Sequence, residues 1–250
     1  MTPVLSVFSV VLALVGGLTA PAYAERVDAG ARDARPLAGR VVVLDPGHQL
    51  GNHNFPGRIN RLVPDGRGGR KACNTTGTAT AGGYAEATFN WEVARLLRSR
   101  LEHRGATVRM TRTTNSQGRW GPCVDVRGRA GNRPRADLKL SIHADGNLAG
   151  GARGFHVIVA PDAPAGSARF AGVVRSSLRR SGLPVANYIA GGDGLDVRTD
   201  LTTLNFARLP TAMVELGNMR DRVDAGRMTS ARGRTAYADA LARAVRHYLR

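Results

Sequence analysis

The chain has 250 residues, 42% of them apolar and 5% aromatic, with 31 glycines and a formal charge of +17. That length and apolar content suit one domain with a sizeable core; disorder is excluded, and so are collagen-like and coiled-coil classes, since neither a Gly-X-Y period nor heptads occur. The one long apolar stretch lies at the extreme N-terminus, which excludes a multi-pass membrane protein. The basic excess calls for a polyanionic neighbour without saying whether it is nucleic acid, membrane or cell wall.

Residues 1–24 hold no Asp, Glu, Lys or Arg. The apolar run from Val4 to Leu18 leads into Pro21-Ala22-Tyr23-Ala24, the small-residue pattern of a signal-peptidase site, so a signal peptide cleaved after Ala24 is expected. No Lys or Arg precedes the run, and an uncleaved anchor helix is the alternative. Export places Cys73 and Cys123 outside the reducing cytosol, where they are expected to form a disulfide; two free thiols are the alternative. Residues 25–39 are polar, contain Pro36 and read as a flexible stem, leaving 40–250 as the folded domain.

Within it, Val41–Leu44 is a continuous apolar run suited to a strand covered on both faces, stopped by the turn Asp45-Pro46-Gly47-His48. Residues 49–83 are rich in Gly, Asn and Arg without a period and read as a long loop insertion. From Tyr84 to His103 the period is helical, with Phe89, Val93, Leu97 and Leu101 on one face and Gly105 as the stop. Further strands are expected at 106–111, 138–144, 155–160 and 211–216, and helices at 124–135, 165–181 and 235–249, with 184–208 rich in loops. This alternation indicates an α/β domain with a twisted, mostly parallel sheet flanked by helices.

Three of those strands end in a group able to bind metal or move protons: His48, His143 and Glu215. In open α/β sheets, ligand sites lie beyond the carboxyl ends of the strands. Each residue also has a plainer reading: His48 closing a turn, His143 a satisfied core histidine, Glu215 a surface carboxylate. Glu215, however, interrupts an apolar strand, where a charge is costly unless paired. Glu86 is the more informative, because 86, 89, 93, 97 and 101 fall on one helical face and the last four are the apolar stripe. A first-turn acid favoured by the helix dipole would not need the core face. A cation waiting in the core explains the position, with arginine or a metal as the choices. Two imidazoles and one carboxylate form a suitable set for Zn²⁺ with an open position for water, and Glu215 would then be free to carry a proton to a leaving nitrogen. Asp45 is a candidate to orient a ligand histidine, or a turn-forming aspartate. His53 is expected in solvent, His156 in a structural role, and His103 and His247 near helix C-termini.

These residues lie in segments that resemble the zinc-dependent N-acetylmuramoyl-L-alanine amidases. The segments are Val41–His48, Glu86 in the first helix, Gly105–Arg112, Arg127–Asn132, Asp137–Asp145, Gly154–Val157 and Leu209–Asn218, over most of 40–250. The chain departs from the usual pattern at Gln49-Leu50 and at Gly217-Asn218-Met219. The resemblance implies an α/β fold, one Zn²⁺ per chain held by His48, Glu86 and His143, Glu215 as the catalytic carboxylate, and cleavage of the amide between muramic acid and L-alanine in peptidoglycan. It looks like a compact actinobacterial version without a wall-binding module. The expected partners are peptidoglycan or muropeptides and the anionic cell wall. A monomer is expected, with neither nucleic acid nor stable membrane insertion after cleavage, in a secreted or wall-associated protein that serves cell-wall turnover or daughter-cell separation. Two alternatives stand beside it: a zinc peptidase cutting within the stem peptide, and a non-catalytic wall-binding protein of the same fold. Residues 49–83 are expected to form a lid or rim over the metal, tied down by Cys73–Cys123.

Overall fold

The expected first strand runs Val41–Pro46 (β1) and lies inside a six-stranded sheet. The structure is a computed structural model and describes Met1, residues 35–189 and residues 191–250. The expected signal peptide and residues 25–34 of the expected stem lie outside the described residues. The end of that stem belongs to the domain: Leu37 is fully buried and its N–H donates to the Arg104 carbonyl, because the apolar side chain covers the end of the first long helix.

That helix, α1 (Glu86–His103), buries Phe89, Val93, Leu97 and Leu101, as the period predicts. It follows an antiparallel hairpin, β2 (Leu62–Pro64) with β3 (Arg70–Ala72), inside the stretch expected as irregular. With only three residues per strand and one buried side chain in β2, the hairpin leaves no periodic trace in the sequence. After α1 come β4 (Thr107–Met110), α2 (Val124–Arg129), β5 (Leu138–Asp145), β6 (His156–Val159), α3 (Ser167–Arg180), β7 (Leu195–Val197), α4 (Thr202–Asn205), β8 (Thr211–Asn218), α5 (Arg222–Thr229) and α6 (Ala231–Leu249). Helix α2 stops at Arg129 rather than at the expected 135, since Gly131 at φ 88° turns the chain left-handed. Strand β7, α4 and α5 are additions to the expected set; each is short or, in α5, buries only two side chains.

The strand order is β4-β1-β5-β8-β6-β7. All pairings are parallel except β6 with β8, so the sheet is mostly parallel, as expected, with one reversal. Alternation along each strand sends Leu138, Leu140 and Ile142 of β5 and Ala212, Val214 and Leu216 of β8 to one face, where α1, α3 and α6 cover them in the main core. The opposite face carries Val43, Met213 and Ile158 in two smaller clusters under α2 and α4. Toward the carboxyl ends of the strands that second face turns polar.

Cys73, just after β3, is bonded to Cys123, just before α2. The bond closes a loop of 50 residues, which in the chain-entropy account contributes about 4 kcal/mol by restricting the unfolded chain. Cys123→Ser is therefore expected to lower the denaturant midpoint strongly, by up to that amount in ΔG, in a non-reducing unfolding titration.

Candidate metal centre

β1, β5 and β8 lie side by side and run in one direction, so their carboxyl ends bring His48, His143 and Glu215 to one edge. His48 follows β1 at φ 60°, a left-handed conformation that costs a side chain about 1–2 kcal/mol and swings the ring off the strand line. Glu86 opens α1, its backbone N–H bound to the Thr78 carbonyl, and the residue is 4% exposed at the head of the apolar stripe. The helix geometry thus puts a carboxylate in the core, as the 3.6-residue spacing indicates.

The Glu86 carboxylate sits between the two imidazoles. Its Oε2 is 3.1 Å from His48 Nε2, and its Oε1 is 3.0 Å from His143 Nδ1. Backbone N–H groups of Thr78 and Ala144 and the Asn90 amide also donate to it. Burial would raise the Glu86 carboxyl, but the two histidines outweigh it and hold it well below the usual carboxylate range. Burial lowers His143, so its imidazole is neutral at pH 7. His48 Nδ1 lies 3.0 Å from the Thr75 carbonyl, to which it donates, leaving the Nε2 lone pair free for the cluster. One ligand-type atom from each of the three residues lies within 4.8 Å of the others, the only such group among the described residues. Two imidazoles with one carboxylate are the mixed N/O donor set that zinc takes, and they fit it. The backbone approaches closely on both sides: a Cβ at Gly47 would strike the His143 ring, and one at Gly77 would lie 2.7 Å from Glu86 Oε2.

A buried chain of charge stands behind the histidines. Arg127, 3% exposed, grips the fully buried Asp45 with two hydrogen bonds, Nε to Oδ1 at 2.8 Å and Nη2 to Oδ2 at 3.0 Å. The same Nη2 lies 3.0 Å from His143 Nε2. Burial would raise Asp45; Arg127 and hydrogen bonds from Ser141 and Thr111 outweigh it and hold it below the usual range. Asp45 thus reaches the His143 ring at one remove, through Arg127. Fully buried Lys139 completes the support: Nζ donates to the carbonyls of Arg127, Gly128 and Thr203 at 3.3, 2.6 and 3.1 Å, fixing the end of α2 against α4. Burial lowers this lysine to about 8. Both residues escape sequence reasoning as functional supports. The available signal is Lys139 itself, a charge alternating with Leu138 and Leu140 in a strand whose two faces are covered.

Glu215 lies on β8 in register with His143. Its Oε2 is sealed from solvent with no partner. Burial, then the negative charges of Glu86 and Asp145, raise its carboxyl well above the usual range against the pull of Arg198. His48, His143, Arg127 and Glu215 line one cavity of about 220 Å³, walled on another side by Lys71 and Thr75. The 49–83 segment thus forms a rim of the site. Its hairpin is docked across by Lys71 Nζ on the Asp200 carbonyl (2.7 Å) and by Asn205 Nδ2 on the Asp65 carbonyl (2.9 Å). Two roomier hollows, of about 440 and 490 Å³, are lined by arginines with Glu92 and Phe206, and hold no cluster of ligand-type residues. His53 is exposed, as expected.

A profile of the N-acetylmuramoyl-L-alanine amidase family Amidase_3 matches residues 42–247. The chain is 44% identical over 241 residues to the N-acetylmuramoyl-L-alanine amidase Rv3717 of Mycobacterium tuberculosis, covering 94% of this chain and 97% of that protein. Its fold superposes on the N-acetylmuramyl-L-alanine amidase Ami1 of Mycobacterium smegmatis at a TM-score of 0.80, with 42% identity over 85% of this chain and 98% of that one. The apo form of Ami1 from Mycobacterium abscessus gives the same TM-score at 44% identity, over 86% of this chain and 100% of that one. With the family profile spanning nearly the whole folded unit, the chain belongs to the N-acetylmuramoyl-L-alanine amidases and is a peptidoglycan hydrolase.

Proposed function

We propose that this amidase is zinc-dependent, with His48, Glu86 and His143 as the ligands of one Zn²⁺ and Glu215 as the catalytic carboxylate. The carrying observation is the convergence of two imidazoles and an ionised carboxylate within 4.8 Å at the sheet edge, with Glu215 on the same cavity wall. Zinc bound there supplies Lewis-acid polarisation of the scissile carbonyl and acidification of a water. The chain does the rest. The Thr75 carbonyl holds the His48 ring by its outer nitrogen, and Arg127, anchored on Asp45, abuts the His143 ring. Glu215, its carboxyl raised by burial, takes a proton from water as the C–O bond forms. It then returns that proton to the nitrogen as the C–N bond breaks, so the products are a lactyl carboxylate and the free amine of L-alanine. The test is metal titration. Chelator-treated protein should take up one equivalent of Zn²⁺ and regain turnover with it, while uptake unchanged by His143→Ala would remove the ligand assignment.

The substrate and the +17 charge fit the exported location that the leader indicates. Cell-wall carboxylates and phosphates are the polyanions available there, and the arginine-rich surface would hold the enzyme on the wall electrostatically. Wall turnover or daughter-cell separation is the role such retention serves. The hairpin rim is positioned to gate the cavity, anchored through the Cys73–Cys123 bond at its base.

A further inference from the structure

The row of side chains does not stop at Glu215. β5, β8 and β6 are adjacent, and their register places His143 beside Glu215 and Glu215 beside His156. Register partners leave the same face of the sheet on strands about 4.8 Å apart, so the three form one row with the carboxylate in the middle. His156 is 1% exposed and its Nδ1 has no hydrogen-bond partner among the described residues. The same is true of Glu215 Oε2 and of the Tyr188 hydroxyl, and the Tyr188 ring meets the His156 ring edge-on with centroids 6.0 Å apart. A buried imidazole is a poor core filler, since an apolar side chain would pack there without a polar atom to satisfy. Unpartnered buried polar atoms side by side call for an explanation, and a functional arrangement supplies one. The neighbouring position on β6, Val157, faces the main core, so the strand had an apolar alternative and used it on the other face.

We propose that His156 is a positioning residue for Glu215, its Nδ1–H donating to Oε2 on the side away from His143 and so holding Oε1 toward the metal ligands. The proposal rests on Glu215 being the proton-transfer group. Directly opposed positions on antiparallel strands hold their Cβ atoms about 4.5–5.5 Å apart, within the reach of a glutamate side chain. Tyr188 fixes the plane of the ring, and burial lowers the His156 imidazole so that it is neutral with a single N–H to give. A carboxylate pinned on one oxygen presents the other at a fixed angle, which matters more to a proton transfer than to substrate binding.

The experiment is steady-state kinetics on a soluble muropeptide with zinc-loaded protein, alongside zinc content and unfolding midpoint for each variant. His156→Leu is expected to lower kcat by about 10–100-fold with zinc content unchanged. KM should stay within about threefold of wild type, since the interaction acts on the proton-transfer step. His156→Asn, whose amide N–H sits where Nδ1 does, should recover about tenfold or more of the loss; His156→Gln, whose amide falls nearer Nε2, should not. In a Glu215→Ala background, His156→Leu should cost nothing further, because the acceptor has gone. The proposal is overturned if His156→Leu keeps wild-type kcat, if Asn and Gln are equally poor, or if the two losses multiply in full. If His156→Leu does not fold, the Asn and Gln pair decides alone. Should Glu215→Ala itself keep full activity, the assignment of Glu215 fails first; if Glu215 is essential and His156 is not, only this inference fails.

Discussion

Glu215→Gln is expected to lower kcat by about 10²–10⁴-fold, the usual worth of a positioned proton-transfer group. The amide keeps the shape and packing of the strand but cannot take a proton, so zinc content and unfolding midpoint should match wild type. The environment argues for this role, since Glu215 faces the cavity beside His143 with one oxygen unpaired and its carboxyl raised by burial and by Glu86 and Asp145. The sign of the pH dependence follows. Only the ionised carboxylate can accept the proton, so turnover of the wild type should fall as pH drops, starting above the ordinary glutamate value of about 4.3. In Glu215→Gln the residual turnover should lack that acid limb. Full activity in this variant would leave the chain a wall-bound protein whose hydrolysis runs through some other group.

The second large effect is on stability. Asp45→Asn is expected to cost about 3–5 kcal/mol, because it leaves the Arg127 guanidinium buried without its counter-charge. Equilibrium denaturant unfolding measures it directly. The same change should weaken zinc binding, since Arg127 also contacts His143. The pH sign runs opposite to that of a raised group. The folded-state value of Asp45 is depressed, so its contribution is present above the unfolded value of about 3.9 and is lost as pH falls through the lower folded value. Asp45→Asn should therefore flatten the acid side of the stability curve. Replacing both partners by apolar residues of similar volume should restore much of the lost stability while leaving the His143 ring without its Arg127 contact.

Much of this site can be read from local pattern, and the reasons are physical. Glu86 is legible because helical periodicity is a property of neighbouring residues, and a carboxylate on the apolar stripe stands out. His48, His143 and Glu215 are legible because parallel strands deliver their ends to one edge whatever their order in the sheet. The direction of β6 is not legible, since a strand of four residues reads alike in either sense, and only the pairing with β8 reverses it. That reversal is what brings His156, near the start of its strand, beside Glu215, near the end of another. The Asp45–Arg127 pair spans 82 residues in sequence, and nothing local distinguishes Arg127 from the many solvated arginines around it. Burial of that one guanidinium depends on α2 packing over the second face of the sheet, a consequence of the whole fold.

The most direct test of zinc-dependent amidase chemistry at this centre is product analysis of a defined muropeptide by mass spectrometry, with chelated protein and with one equivalent of Zn²⁺ restored. The predicted result is an intact stem peptide with a free L-alanine amine plus the lactyl-bearing sugar, formed only when zinc is present. A shortened stem peptide still attached to the sugar would identify a peptidase instead, and equal product from the chelated protein would contradict the metal centre.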